Sequence, residues 1–194
     1  MNVHQLSVSY VPEQDRILVR INTTEGRELH FWLTRRLTLG LSPVLDKVVT
    51  EHSARQGVAG VAPAQVVAMD PVAKKAVAEF QRNENLRSAD FSTPYQPAAQ
   101  NPPLFEQPLL LTEVNITPLA NGQLRIACAE KLPGGGAPRA FQLGLTQHLI
   151  HALMHLMERA VQQSRWRDVV GAPAQTSARR EPSPGLDDKP TYLN

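Results

Sequence analysis

Apolar and polar side chains alternate in three short stretches near the start of the chain. Alternation with a period of two is typical of strands that bury one face. In the first stretch, for example, Leu6, Val8 and Tyr10 share one side. The connections between the stretches contain turn-forming residues, so we predict an antiparallel meander of three strands. The three stretches are residues 4–12, 16–22 and 28–33.

After the third strand, the spacing of the apolar residues changes. From Leu37 to Val49 the apolar residues recur at the spacing of an amphipathic helix. Gly40 and Pro43 lie inside this pattern. Because proline lacks a backbone N–H and clashes with the preceding turn, we expect a kink there or a restart of the helix at Ser42.

The same succession of patterns returns in the second half of the chain. Residues 110–116 alternate as one strand, and Asn121-Gly122 is a strong signal for a hairpin. Two further alternating stretches follow, and a long helix is predicted from about residue 147 to residue 165. The second half therefore predicts three strands followed by a helix, as the first half does.

The strand-to-helix junctions of the two halves align. Leu33-Thr34 matches Leu145-Thr146, and each threonine hydroxyl is placed to cap the helix that follows. We therefore predict an α+β fold made of two tandem β-β-β-α repeats. An antiparallel sheet would carry the helices packed on one side, around a pseudo-twofold axis.

Domain boundaries follow from where these patterns stop. Residues 1–166 are predicted to form a single α+β domain, which contains the repeats 3–52 and 109–166. Between them, residues 53–108 are predicted to hold a linker and a peripheral helix. The polar, proline-rich residues 167–194 are predicted to be a disordered tail.

Residues 53–69 lack a pattern and are the predicted linker. The peripheral helix, residues 72–86, carries only a thin apolar stripe. Residues 92–108 are proline-rich, and we expect them to be extended or disordered. The stripe consists of Val72, Ala76, Val77 and Phe80.

Composition narrows the function classes only slightly. The net charge is +2, from 20 Lys and Arg against 18 Asp and Glu, which neither supports nor excludes a nucleic-acid partner. A single cysteine, Cys128, cannot form an internal disulfide and fits a reducing compartment. No signal peptide and no apolar run of about 18 residues is visible. We expect a cytoplasmic protein without membrane contact.

Three histidines follow one another at helical spacing in the last predicted helix: His148, His151 and His155. They fall within one arc opposite the apolar side, so we expect them to face solvent. Such spacing can place imidazoles around one metal ion, although no further ligand is evident. A polar, water-exposed stripe is the alternative.

The outward face of the first predicted sheet combines cations with an aromatic ring. Arginines that follow phosphates and a tryptophan that stacks on a base are what single-stranded nucleic acid binding uses. Two alternatives compete. Trp32 can be covered by the 72–86 helix or by a second protomer, and the strand arginines can simply pair with Glu28. The candidate binding residues are Arg16, Arg20, His30, Trp32, Arg35 and Arg36.

Common enzyme signatures are missing from the sequence, including phosphate loops, nucleophile elbows and zinc-protease motifs. We therefore predict a non-catalytic protein without a cofactor. The leading hypothesis is a cytoplasmic binding or adaptor protein that acts through protein–protein contacts and self-associates. The alternative is a single-stranded nucleic acid binding protein that uses the outer face of the first sheet.

Three segments resemble a family of small bacterial proteins with no assigned activity: residues 15–23, 29–37 and 89–95. The resemblance covers most of residues 3–160 and implies no chemistry. More loosely, doubled sheet-then-helix units are similar to the Whirly and PUR-type single-strand binders. Those units have four strands before the helix, whereas three are predicted here, so this likeness concerns the fold alone.

Overall fold

The computed structural model describes residues 1–57, 69–97, 102–132, 134 and 136–168. The chain is an α+β protein, as the sequence predicted. A short 3-10 turn, Pro12–Gln14, joins the first two strands. In chain order the elements are β1 (Val3–Val11), β2 (Arg16–Thr23), β3 (Glu28–Thr34), α1 (Arg35–Gly57), α2 (Pro71–Ser88), β4 (Leu109–Leu110), β5 (Glu113–Pro118), β6 (Leu124–Glu130), β7 (Arg139–Leu145) and α3 (Gln147–Ser164).

The strands form two sheets, one of order β1-β2-β3-β4 and one of order β5-β6-β7. All neighbouring strands are antiparallel except the short parallel pair of β3 with β4. In the first sheet Ile17 lies opposite Leu33, and in the second Leu124 lies opposite Leu145. These four side chains are buried, so the predicted inward faces of β2, β3, β6 and β7 are confirmed.

The two sheets adjoin at both edges. On one side, the Leu111 N–H donates to the Trp32 carbonyl of β3, and the Thr112 N–H donates to the Ala129 carbonyl of β6. On the other side, Asn2 forms a bridge to Gly144 of β7. The N–H of this glycine donates to the Met1 carbonyl. The sheets therefore surround a shared interior.

The single strand predicted over residues 110–116 is wrong. Leu109 and Leu111 are buried, whereas Val114 and Ile116 are the residues of β5 that pack against the core. Odd-numbered residues face the core before residue 112, and even-numbered residues face it afterwards. This change of phase arises because the chain leaves β3 and joins β6 at that point. The result is two strands, β4 and β5.

One hydrophobic core receives side chains from both sheets and from α1 and α3. The rings of Phe31 and Phe141, one from each sheet, lie 5.3 Å apart between centroids. Removal of such apolar surface from water is the main favourable term in folding, and the core is closely packed as a result. The most deeply buried aliphatic residues are Ile17, Val19, Ile21, Leu29, Leu109, Leu124, Leu145, Ile150 and Val161.

Both helices that follow a meander are capped by threonine, as predicted. The Thr34 hydroxyl oxygen accepts from the Leu37 N–H at 3.2 Å. The Thr146 hydroxyl oxygen accepts from the Leu149 N–H at 3.4 Å. Each hydroxyl satisfies a backbone donor that the first helical turn leaves unpaired.

Helix α1 continues through Pro43, so the predicted restart at Ser42 is wrong. The Ser42 hydroxyl instead donates to the Thr38 carbonyl one turn earlier, at 3.0 Å. Beyond the proline, Leu45 and Val49 are buried in the core. Their burial offsets the backbone hydrogen bond that proline cannot make.

The predicted linker begins too early. Helix α1 extends to Gly57, and Ser53 and Ala54 are fully buried. Residues 58–68 of the predicted linker and residues 169–194 of the predicted tail lie outside the described residues. Helix α2 forms where the peripheral helix was predicted and packs against α1 and α3. None of the helices in the described part of the chain is long and apolar enough to span a membrane.

Candidate functional site

The outer face of the first sheet holds four of the predicted binding residues. Arg20 lies opposite His30 across the β2–β3 pair, and Leu18 lies opposite Trp32. Arg16 is two residues from Leu18 on the same strand and therefore shares this face. The register thus brings Arg16, Arg20, His30 and Trp32 together on one side of the sheet.

A segment without regular secondary structure, residues 94–96, lies over one end of this outer face. We call it the strap. The Gln5 side chain bonds it twice, since its amide donates to the Pro94 carbonyl at 3.1 Å and its oxygen accepts from the Gln96 N–H at 3.0 Å. The Asn22 amide also donates to the Gln96 carbonyl. The strap is therefore fixed to both β1 and β2.

Arg20 lies beneath the strap. Its guanidinium carbon is 5.0 Å from the centroid of the Tyr95 ring, within the range of a cation–π contact. Its terminal nitrogen also lies within 3.4 Å of the Ser7 hydroxyl. Arg20 was predicted to contact phosphates, but Tyr95 of the same chain covers it.

A buried carboxylate anchors the same tyrosine. The Tyr95 hydroxyl donates to Glu28 Oε1 at 2.7 Å, and His30 Nε2 lies 2.9 Å from the same oxygen. Burial acts to raise the pKa of Glu28, but the hydrogen bonds from His30 and Tyr95 outweigh it and hold the pKa below its usual value. Burial and the bond to Glu28 raise the pKa of the Tyr95 hydroxyl. Glu28 thus connects the strap to β3.

The remaining candidates lie toward the strand–helix corner. Trp32 is partly exposed, and its partner across the parallel pair is Leu110. The Arg35 guanidinium donates to the Trp166 carbonyl, whereas Arg36 is exposed at the start of α1. Two of the four candidate arginines, Arg20 and Arg35, therefore already make contacts within the chain.

The expectation that the three histidines face solvent is wrong at His151, which is 1% exposed. Helix α3 packs against β1 on one side and against α2 on another, so α2 covers the polar arc of α3. The Asn85 amide of α2 donates to His151 Nδ1 at 2.9 Å. Burial and, to a smaller extent, the nearby charges of Arg82 and His148 together lower the pKa of His151 to about 4.

The other two histidines have different surroundings. His148 and His155 are partly exposed, and the His155 ring lies 5.2 Å from the Phe91 ring. Nδ1 of His151 is occupied by the hydrogen bond from Asn85. Within the part of the chain that the structure describes, no group of three or more His, Cys, Asp or Glu side chains could hold a metal ion.

Helix α2 presents an apolar stripe to solvent, which the sequence analysis did not identify as a surface. Val72 is 73% exposed and Phe80 is 68% exposed, and Ala76 lies between them on the exposed side. We call Val72, Ala76 and Phe80 the α2 stripe. The helix instead buries Ala78 and holds Asn85 against α3. The spacing of these apolar residues was visible in the sequence. Whether they face the core or solvent depends on which polar side chains of α2 pack against α3.

An open cleft of about 730 Å³ lies between α1, α2 and α3. Cations and carboxylates line it together. A mixed lining of this kind does not favour a ligand of one charge sign. The charged lining residues are Lys47, Lys74, Lys75 and Arg82 with Asp46, Glu51 and Glu79.

Scans against models of known protein families, the curated proteins and the solved structures each found no match to this chain. The resemblances drawn from the sequence therefore stay predictions. What the molecule does must be inferred from its exposed surfaces.

Proposed function

We propose that this chain is a non-catalytic binding or adaptor protein of the cytoplasm that makes protein–protein contacts through the α2 stripe. The observation that supports it is the exposure of Val72 and Phe80, at 73% and 68%, on one face of one helix. Single exposed apolar residues are common on protein surfaces. Two large ones separated by two helical turns, with Ala76 between them, form a continuous patch that water solvates poorly.

The chemistry of the stripe fits a protein surface better than a small ligand. It is convex, because it lies on the outside of a helix, whereas small-molecule sites are concave. Aromatic side chains that are exposed in the free protein and buried in a complex supply much of the binding energy at protein interfaces. Phe80 is therefore the residue that contributes most to the proposed contact.

Photo-cross-linking tests this function. Phe80 is replaced by a photoreactive phenylalanine derivative, and the cells that naturally produce the protein are irradiated. We expect a discrete cross-linked product from position 80 and none when the same probe replaces Glu13, which is exposed in the 3-10 turn. The absence of a discrete product from position 80 would overturn the proposal.

Single-stranded nucleic acid is the second candidate ligand, and it uses the other surface. The observation in its favour is Trp32, which is partly exposed on the same face as Arg16 and close in sequence to the exposed Arg36. Such a ring can stack on a base while arginines contact phosphates.

Fluorescence anisotropy with a labelled oligothymidylate tests the second candidate. If the chain binds, affinity should fall steeply as salt rises. Trp32→Ala should weaken binding about tenfold or more, since base stacking contributes roughly 1–3 kcal/mol per base. Phe80→Ala serves as the matched control and should leave binding unchanged. No binding at low salt excludes this function.

The finer architecture is part of the same proposal. We propose that the units β1-β2-β3-α1 and β5-β6-β7-α3 are tandem repeats related by a pseudo-twofold axis. Their equivalent threonine caps at Thr34 and Thr146 support this, as do their antiparallel three-strand orders. The buried thiol of Cys128, whose pKa burial raises to about 12, is compatible with a reducing cytoplasm.

A further inference from the structure

We infer that the partner of the α2 stripe is a second copy of this chain, with the two α2 helices antiparallel about a twofold axis at Ala76. This inference rests on the proposed function, because it names the occupant of the same surface. It follows from the order of apolar and charged residues along the exposed face of α2. That face is complementary to itself when one copy is reversed.

The apolar residues match first. At about 100° per residue, Ala76 lies in the middle of the exposed arc, with Val72 one turn before it and Phe80 one turn after it. An antiparallel twofold axis at Ala76 places Val72 opposite Phe80 of the second copy, and the same contact forms twice. The small side chain of Ala76 lets the two helices approach closely at the axis.

The charges match under the same operation. Lys75 and Glu79 lie on one flank of the stripe, 3.9 Å apart, with side chains 74% and 63% exposed. A twofold axis perpendicular to both helices brings the same flank of each helix together. It sets Lys75 within one helical turn of Glu79 of the second copy, twice. A parallel pairing, with its twofold axis along the helices, would instead bring the Lys75 flank against the opposite flank of the second copy, which carries Ala73 and Val77. No ion pair could then form across the contact, so the charges favour the antiparallel arrangement.

The face is held in place before any partner arrives. Helix α2 is fixed from behind by buried Ala78 and by the hydrogen bond from Asn85 to His151. Beyond the stripe, Arg87 is paired with Glu84 at 3.0 Å on the same helix. A preorganised surface loses little conformational entropy on binding.

The size of the contact sets its strength. Stable interfaces usually bury about 1,200–2,000 Å² in total, and a contact centred on three apolar residues of one helix is small by that standard. We therefore expect a reversible dimer with a dissociation constant in the micromolar range. Its formation depends on protein concentration.

Analytical ultracentrifugation of the full chain over a range of concentrations tests the inference. We expect a monomer–dimer equilibrium. Phe80→Asp should weaken it by about tenfold or more, because a carboxylate replaces an apolar contact that occurs twice. Glu13→Lys, a charge change in the exposed 3-10 turn away from α2, is the matched control and should leave the equilibrium unchanged. Circular dichroism checks that each variant folds.

Exchanging the charges of Lys75 and Glu79 tests whether the two helices pair in the proposed antiparallel arrangement. Lys75→Glu alone and Glu79→Lys alone should each weaken the dimer, because like charges then meet across the axis. The double variant K75E/E79K should restore dimerisation, since the pairing is re-formed with reversed signs. A chain that stays monomeric at all concentrations overturns the inference, and so does a dimer that is insensitive to Phe80→Asp and to the charge exchange.

The cross-linking experiment separates this inference from the proposed function. A product from position 80 with twice the mass of the chain supports both. A product that contains a different protein supports the proposed function and overturns the second copy as the partner. The absence of any discrete product overturns both.

Discussion

Replacing Trp166 with alanine should lower the free energy of unfolding by about 3–5 kcal/mol, the range for removing a large aromatic side chain from a core. Trp166 follows α3 and is 3% exposed. Its ring packs edge-on against Tyr10 of β1, with centroids 5.7 Å apart. Its indole N–H donates to Asp15 Oδ1. Urea unfolding followed by circular dichroism measures the loss.

The other tryptophan of the chain supplies the matched control. Trp32→Ala removes the same number of atoms from a partly exposed position outside the core, so its cost should be clearly smaller. Trp166→Phe, which keeps one six-membered ring but loses the pyrrole ring with its N–H donor, should fall between the two alanine variants. If the free energy of unfolding of Trp166→Ala lay within about 1 kcal/mol of the parent value, the expected contribution of Trp166 to the core would be contradicted.

Local signals in the sequence were enough to place most of the strands and the start of each helix that follows a meander, although residues 110–116 were predicted as one strand and form parts of two. Alternation reports which side of a strand is apolar, and the side chains of Ile17, Leu33, Leu124 and Leu145 indeed face the core. A threonine at the end of such a strand also acts locally, because its hydroxyl needs only the N–H three residues later. These features depend on neighbours in sequence, and so they could be predicted.

Features that depend on distant partners could not be predicted in this way. Trp166 was placed at the end of the domain, but its hydrogen-bond partner Asp15 is 151 residues earlier. The strap carries no periodic pattern, and its position follows from single polar contacts such as that of Tyr95 with Glu28. Sequence periodicity contains no information about such pairings.

The surfaces of α2 and α3 show the same limit of sequence periodicity. His151 lies on the polar arc of α3 and is nevertheless buried, while Phe80 lies on the apolar stripe of α2 and is exposed. Both observations have one cause, because α2 packs its polar side, with Asn85, against the polar arc of α3. Periodicity predicts that a helix has an apolar face and a polar face, but it does not say which of the two a neighbouring helix will cover.

Acid should destabilise this α2–α3 contact before it affects the rest of the fold. The pKa of His151 is lowered to about 4 in the folded chain, against about 6.5 in the unfolded chain. Between these values the unfolded chain binds more protons, so the contribution to stability is complete above pH 6.5 and is lost as the pH falls toward 4. Each pH unit inside the window changes the free energy of unfolding by at most about 1.4 kcal/mol per proton. We expect a loss of about 2 kcal/mol between pH 7 and pH 5, measured by urea unfolding at each pH.

Variants at two histidines identify the source of this slope. His151→Gln retains a side-chain acceptor for Asn85 but cannot take up a proton, so its stability should be nearly independent of pH between 7 and 5. His4→Gln, at an exposed position on β1, should keep the full slope of the parent. The window ends at pH 5 because carboxylates with lowered pKa values, such as Glu28, contribute a loss of the same sign at lower pH. If the parent and His151→Gln showed the same slope, the neutral buried imidazole would not be what makes the α2–α3 contact sensitive to acid.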